Sequence, residues 1–224
     1  MNFDEWFPLY LQITDELRIN RSMDYISSLK LSSYIKNDVN MLSNFTGKRF
    51  FVVGNAPSMK EYLPTISNGI VIVADSAIAT YIAAIGYPDI IVSDLDGNIK
   101  SIKDAYGHGT ITAIHAHGDN MDKIGKYAGY FTRGLATTQN IPFNHVYNFG
   151  GFSDGDRAAF LADYLNAQEI VLVGFDFNNV KKKEYYGMAD IERKSLKLKW
   201  AKYLLEILAV KRGRHISDKI MFEI

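Results

Sequence analysis

The 224-residue chain contains no cysteine. That excludes disulfides, thiolate metal ligands and a cysteine nucleophile, and it fits a protein of the reducing cytoplasm. Neither sign of charge is in excess: 25 Lys and Arg stand against 25 Asp and Glu, a formal net charge of zero. Without a global basic field nucleic acid is a poor partner, and any anion site must be built locally. No apolar run approaches the roughly 20 residues of a membrane-spanning helix. The opening Met1-Asn2-Phe3-Asp4-Glu5-Trp6 has neither the basic nor the apolar region of a secretory leader. The expectation is a cytoplasmic protein that engages neither nucleic acid nor membrane. What is present is an ordinary globular composition, 47% hydrophobic, enough for one large domain or a core domain with a small appendage.

Residues 1–46 read as a helical amino-terminal segment. Tyr10, Ile13 and Leu17 recur at helical spacing, and Ser22 is placed to cap a second helix carrying Met23, Ile26 and Leu29. From residue 47 to 224 strand and helix signals alternate. Short β-branched or aromatic runs fall at Arg49–Val53, Gly69–Val73, Ile90–Val92, Thr110–Ile114 and Ile170–Val173, with shorter strands expected at Tyr130–Thr132 and His145–Phe149. Such alternation predicts an α/β, Rossmann-like, mostly parallel sheet with helices on both faces. A last helix is expected over about Asp190–Arg212, followed by an edge strand between Arg214 and Phe222 that leaves room for a homodimer. On that helix Lys194 and Lys197 share the face of Leu198, Ala201, Leu205 and Leu208, where ammonium groups would point to the sheet edge. The plainer alternative is that both lysines snorkel past the rim of the core.

Each polar cluster follows an apolar strand, so a parallel sheet would gather the clusters on one edge. Asp94 and Asp96 emerge after Ile90-Ile91-Val92. Two carboxylates about 4 Å apart repel by roughly 4 kcal/mol at an effective dielectric near 20, and a bound cation would remove that repulsion. Gly54-Asn55-Ala56-Pro57-Ser58 is a glycine turn whose following helix amides can face a phosphate. It is neither a dinucleotide fingerprint nor a Walker loop. Asp75 is a helix cap or a ligand-binding carboxylate. His115-x-His117-x-Asp119 has the spacing of a transition-metal site, or else Asp119 caps the next helix while the imidazoles bond around the turn. Ser153-x-x-Asp156 fits a capping box, and Arg157 in the first turn is placed to hold phosphate. With no thiol and no Ser-His-Asp pattern, the inventory suits Mg²⁺-assisted chemistry on a polyphosphate.

The blocks G-N-A-P-S at 54–58, A-D-S-A at 74–77, S-D-L-D-G at 93–97, H-A-H-G-D-N at 115–120, G-F-S-D-G-D-R at 151–157, G-F-D-F at 174–177 and K-S-L-K-L at 194–198 occur in this order. Together they resemble the archaeal 6-hydroxymethyl-7,8-dihydropterin pyrophosphokinase (MptE-like) family, related in fold to thiamin pyrophosphokinases. The resemblance implies Mg²⁺-dependent transfer of a diphosphoryl group from ATP to the hydroxymethyl oxygen of a reduced pterin, releasing AMP. It implies that Asp94 and Asp96 hold the metal, with Asp119 and Asn120 completing that site. Gly54, Asn55 and Ser58 would line the nucleotide pocket, with Asp75 and Ser153 close by. Asp154, Asp156 and Arg157 would lie between phosphates and acceptor, and Lys194 and Lys197 would neutralise the triphosphate. The general base would be a metal-oriented carboxylate or His117. Three alternatives remain at this stage: a glycosyltransferase-like protein of the flagellin-modifying branch of the superfamily, a metallohydrolase using His115 and His117, and a non-catalytic nucleotide sensor.

Overall fold

The computed structural model describes residues 1–177, 188–214 and 222–224. Its strands are β1 (Arg49–Val53), β2 (Ile70–Ala74), β3 (Ile90–Ser93), β4 (Ile111–Ala116), β5 (Leu135–Thr138), β6 (Val146–Tyr147), β7 (Glu169–Val173) and β8 (Phe222–Glu223). They form one sheet in the order β6-β5-β4-β3-β2-β1-β7-β8. The first seven strands run parallel, and β8 pairs antiparallel with β7. The strands read as unbroken apolar runs because both faces are covered. Phe50, Val52, Ile72, Ile90 and Leu172 pack into one core, and their neighbours Phe51, Val53, Val73, Ile91 and Val173 pack into the other.

Helices α1 (Phe3–Glu16), α7 (Asp154–Tyr164) and α8 (Met188–Lys211) cover the first face. The second face is covered by α2 (Arg21–Ser32), the single turn α3 (Met59–Tyr62), α4 (Ile78–Ala84), α5 (Ile99–Gly107) and α6 (Met121–Tyr127). The amino-terminal segment is helical, with a 3₁₀ stretch at Val39–Phe45 after α2. It belongs to the main core: Trp6, Tyr10, Ile13, Leu17 and Leu42 are buried in the same cluster as Phe50 and Leu172. The two helices lie on opposite faces, so the chain between them crosses the sheet at the edge where the strands end. No helix among the described residues is long and apolar enough to cross a membrane.

Three local expectations need correction. Tyr130–Thr132 is not a strand: residues Ala128–Tyr130 form a 3₁₀ turn, and the strand begins at Leu135. The strand is set by Gly134, where a Cβ would lie 2.5 Å from the carbonyl oxygen of Thr112. The cap of α2 is Asn20, not Ser22; its side-chain oxygen accepts from the amides of Ser22 and Met23. Most of the span expected to hold the last edge strand, 215–221, lies outside the described residues, and Phe222–Glu223 form β8.

Trp6 is 1% exposed and its indole N–H donates to the carbonyl of Gln139 at 2.7 Å. Trp6→Ala is expected to cost about 3–5 kcal/mol in urea unfolding. Tyr25→Ala, at a position 38% exposed, should change stability by only about 0.5 kcal/mol. Equal losses would mean that α1 is not part of the cooperative core.

Candidate active site

In a parallel sheet every loop after a strand opens on the same edge. Here that edge gathers Asp75 from the end of β2, Asp94 from the end of β3 and Asp154 from the first turn of α7. A carboxylate oxygen from each lies within 4.8 Å of those of the other two. Asp75 is 2% exposed. Its Oδ2 accepts from the hydroxyl of Ser93, while Oδ1 is buried with no well-formed hydrogen bond. Gly97 makes this packing possible, because a Cβ there would fall 1.5 Å from Asp75 Oδ1. Between the two aspartates of the S-D-L-D-G block, Leu95 adopts φ 65° with its side chain buried. Its amide donates to Ser93 Oγ at 2.8 Å, and the Asp96 amide donates to Asp94 Oδ1 at 3.0 Å. A buried leucine in the left-handed region is a strained conformation, held here by those two bonds.

The crowding sets the proton affinities. Burial pushes the Asp75 carboxyl up to about 6, the charge of Asp94 adding to it and the Ser93 hydrogen bond opposing it. Burial and then the Asp94 charge push Asp154 well above the usual carboxylate range. For Asp94 burial also works upward, but the His117 hydrogen bond and the charge of Arg157 outweigh it and leave the carboxyl low. Among the described residues the convergent ligand set is three oxygens with neither imidazole in it. Hard oxygen donors with one unsatisfied buried oxygen fit Mg²⁺ and not a thiolate- or imidazole-seeking metal.

The H-A-H-G-D-N block braces this cluster. His117 Nδ1 accepts from the Asp119 amide at 3.3 Å, which leaves Nε2–H to donate to Asp94 Oδ2 at 3.3 Å. His117 and Asn120, not Asp119, therefore cap the turn that leads into α6. Asn120 is fully buried: its amide nitrogen donates to the carbonyls of Asp94 and His115, and its oxygen accepts from the His117 amide. His115 turns into the core. The Thr137 hydroxyl already donates to the Ile114 carbonyl, so it accepts from His115 Nδ1 at 3.1 Å. Burial, and then the Arg157 charge, hold His115 well below its ordinary value and neutral.

At the start of α7, Asp156 is fully buried and accepts from the amides of Phe152 (2.5 Å) and Ser153 (2.8 Å), closing the expected box. Gly151, at φ 83°, lets the chain double back; a Cβ there would lie 2.6 Å from the Arg157 amide nitrogen. Arg157, 8% exposed, reaches Asp154 Oδ1 at 3.2 Å and Gln139 Oε1 at 2.8 Å.

A cleft of about 360 Å³ opens over these groups, walled by Asp94, His117, Asp119, Phe152, Ser153, Asp154, Arg157 and Lys197 from the expected blocks. Gly118 of the same blocks and Ile19, Asn20, Met23, Asp24, Gln139 and Arg193 complete the wall, and sequence reasoning passed over the latter six. Asp24, a carboxylate among the buried positions of α2, and the polar Thr138-Gln139-Asn140 after β5 were the available signals. Crowding by surrounding protein, and then the charges of Arg193 and Arg157, lower the Lys197 ammonium. Other expected residues stand at its rim or apart from it. Asp96 pairs with Lys123 on the surface. Asp119 is at the rim, its carboxylate 79% exposed and 3.9 Å from Arg193. Gly54, Asn55, Ser58 and Lys194 are not in its wall. Gly54 instead packs against the loop after β7, 2.8 Å separating its Cβ position from the Gly174 carbonyl oxygen.

The family model for 6-hydroxymethylpterin diphosphokinase, MptE-like, matches residues 27–182. Three archaeal proteins carrying the name 6-hydroxymethyl-7,8-dihydropterin pyrophosphokinase are similar over nearly the whole chain. That of Pyrococcus furiosus is 37% identical, with 93% of this chain and 94% of the relative aligned. That of Methanothermobacter thermautotrophicus is 34% identical, at 93% and 95% coverage. That of Methanocaldococcus jannaschii is 32% identical, at 100% and 99%.

Because the folded value of Asp75 is raised, its contribution to stability is complete below about pH 4 and is lost as pH climbs through about 6. In chelator-treated protein, Asp75→Asn should therefore stabilise the fold near neutral pH by up to about 3 kcal/mol and have no effect near pH 4. Thermal melts across that range check this, and a difference that ignores pH would count against a buried, ionised Asp75.

Proposed function

Because this chain belongs to the MptE-like 6-hydroxymethylpterin diphosphokinase family, we propose that it transfers diphosphate from ATP to the hydroxymethyl group of 6-hydroxymethyl-7,8-dihydropterin. The acceptor oxygen forms a bond to the β-phosphorus, the bond between that phosphorus and the oxygen bridging to the α-phosphate breaks, and AMP leaves with the electron pair. The hydroxyl proton passes to a base, and the diphosphate is left on the pterin. The observation that carries the reading is the carboxylate trio Asp75, Asp94 and Asp154, of which Asp94 and Asp154 line one cleft with Arg157 and Lys197.

Asp75, Asp94 and Asp154 would hold Mg²⁺, which when bound supplies charge neutralisation to the phosphates. Arg157 offers a forked guanidinium suited to a phosphate, and its position beside Asp154 keeps it at the cluster. Lys197 and Arg193 add positive charge on the α8 side of the cleft. His117, with Nδ1 occupied and Nε2–H committed to Asp94, steadies that carboxylate. The loops hold these groups before substrate arrives, so little reorganisation is left for the chemical step. Cytoplasmic location and ATP as the donor complete the proposal.

Product analysis with ATP, Mg²⁺ and a panel of hydroxymethyl pterins alongside thiamin tests it. AMP and a pterin diphosphate should appear together, and only with the 6-hydroxymethyl dihydropterin. ADP, inorganic phosphate, or turnover without an acceptor would overturn the reading. Asp94→Ala and Arg157→Ala should each lower kcat by about 10²–10³-fold or more. Asp96→Ala should stay within about 10-fold of wild type, since its carboxylate pairs with surface Lys123.

A further inference from the structure

Arg157 is the cation in contact with the carboxylate trio, so the aim of its guanidinium matters. One hydrogen bond, to Asp154, is local to its helix. The other comes from outside: Gln139 Oε1, at the end of β5, accepts from Arg157 Nη2 at 2.8 Å within the buried interior. A glutamine amide can present either its carbonyl or its NH₂ to a neighbour, and a guanidinium can use only the carbonyl. Asp24 of α2 decides which way the amide turns. Asp24 is fully buried; its Oδ2 accepts from Gln139 Nε2 at 2.6 Å and from the Tyr10 hydroxyl at 2.8 Å, and its Oδ1 accepts from the Gly118 amide at 2.7 Å. A carboxylate in that setting offers only acceptors, so the NH₂ of Gln139 must face Asp24 and its carbonyl must face Arg157. The strand end itself is fixed from the same side. Trp6 donates to the Gln139 carbonyl, and Asn140 donates to the Arg21 carbonyl at 2.8 Å.

We propose that Asp24 is a positioning residue that acts on Arg157 through the amide of Gln139, so that the helices preceding the sheet form part of the active site. The relay runs from Tyr10 to Asp24, Gln139, Arg157 and Asp154, and it rests on the reading of this cleft as a diphosphate-transfer centre. Its logic is one of donor and acceptor order. In Asp24→Asn the Gly118 amide still requires an acceptor at Oδ1, so the introduced NH₂ faces Gln139. The glutamine amide then turns over and sets its own NH₂ against the guanidinium. Adding Gln139→Glu restores an acceptor to both neighbours.

A double-mutant cycle tests the relay. Asp24→Asn should lower kcat by about 10-fold or more in the wild-type background, yet have almost no further effect in an Arg157→Ala background. KM for the pterin should move less than kcat, and the pair Asp24→Asn with Gln139→Glu should recover most of the rate. Equal losses in both backgrounds, or no recovery in the pair, would show a merely structural Asp24 and overturn the relay. The same cycle on tripolyphosphate affinity, by calorimetry, needs no turnover: a several-fold loss confined to the Arg157 background supports the relay, and an additive loss sinks it. Absence of AMP formation by the wild type would overturn the proposed activity alone, leaving this binding cycle to judge the relay.

Discussion

Mutual repulsion among three largely buried carboxylates is the constraint around which the rest of this site is arranged. At about 4 Å separation and an effective dielectric near 20, each ionised pair is unfavourable by roughly 4 kcal/mol. The loops prevent the simplest relief, which is to move apart. Asp75 is trapped between Ser93 and the bare backbone of Gly97, Asp94 is tied to His117, and Asp154 is pinned beneath Arg157. Arg157, Lys197 and Arg193 bring positive charge to the cleft wall, where burial and then the charges of Arg193 and Arg157 lower the Lys197 ammonium. The cleft thus carries both largely buried carboxylates and three cations. A ligand that is cationic on its inner side and anionic on its outer side satisfies both, and a metal-bound polyphosphate has that distribution.

Much of this was legible in the residues. Strand runs such as Phe50–Val53 and Ile90–Val92 have no polar interruption because each residue is buried on one face or the other, and that pattern belongs to a parallel sheet. The polar blocks at strand ends were equally visible. The partition of those blocks was not. Asp94 and Asp96 look equivalent in the sequence, separated by one residue after a strand. The left-handed turn at Leu95 sends one into the cleft and the other to Lys123 on the surface. Asp75 reads as either a helix cap or a ligand-binding carboxylate, and the fold, with Gly97 packed against it from twenty-two residues away, places it in the cluster. These are tertiary facts with no local signature.

The amino-terminal helices illustrate the same point at larger scale. Their periodicity announces α1 and α2, but it does not reveal that α1 packs on one face of the sheet and α2 on the other. The crossing brings Asp24 over the ends of β4 and β5. A fully buried carboxylate is costly unless its oxygens are occupied, and three donors from three separate segments occupy these. Because those donors come from α1, the loop after β4 and the end of β5, the bond set that stabilises Asp24 also fixes the distance between the helical segment and the cleft. Burial of Trp6 and Tyr10 supplies the apolar adhesion, and the polar bonds supply the register.

The position of the cleft in the sheet follows from a second packing constraint. The chain builds outward from β1 to β6 and then returns to place β7 beside β1, so the strand order reverses between β1 and β7. Open α/β sheets ordinarily bind ligands at such a reversal, because the two adjoining loops diverge there. Among the described residues, the start of the loop after β7 stays against the loop after β1. The Ala56 amide donates to the Gly174 carbonyl at 2.9 Å, and a Cβ on Gly174 would lie 2.6 Å from the Cβ of Met59. The glycines at 54 and 174 permit that close approach. Gly54 of the G-N-A-P-S turn is thus engaged in chain-to-chain contact. The cleft lies at the ends of β3, β4 and β5, where the start of α2 completes its wall. There the polar side chains hold one another and still line the cleft, as Asp154 and Arg157 do.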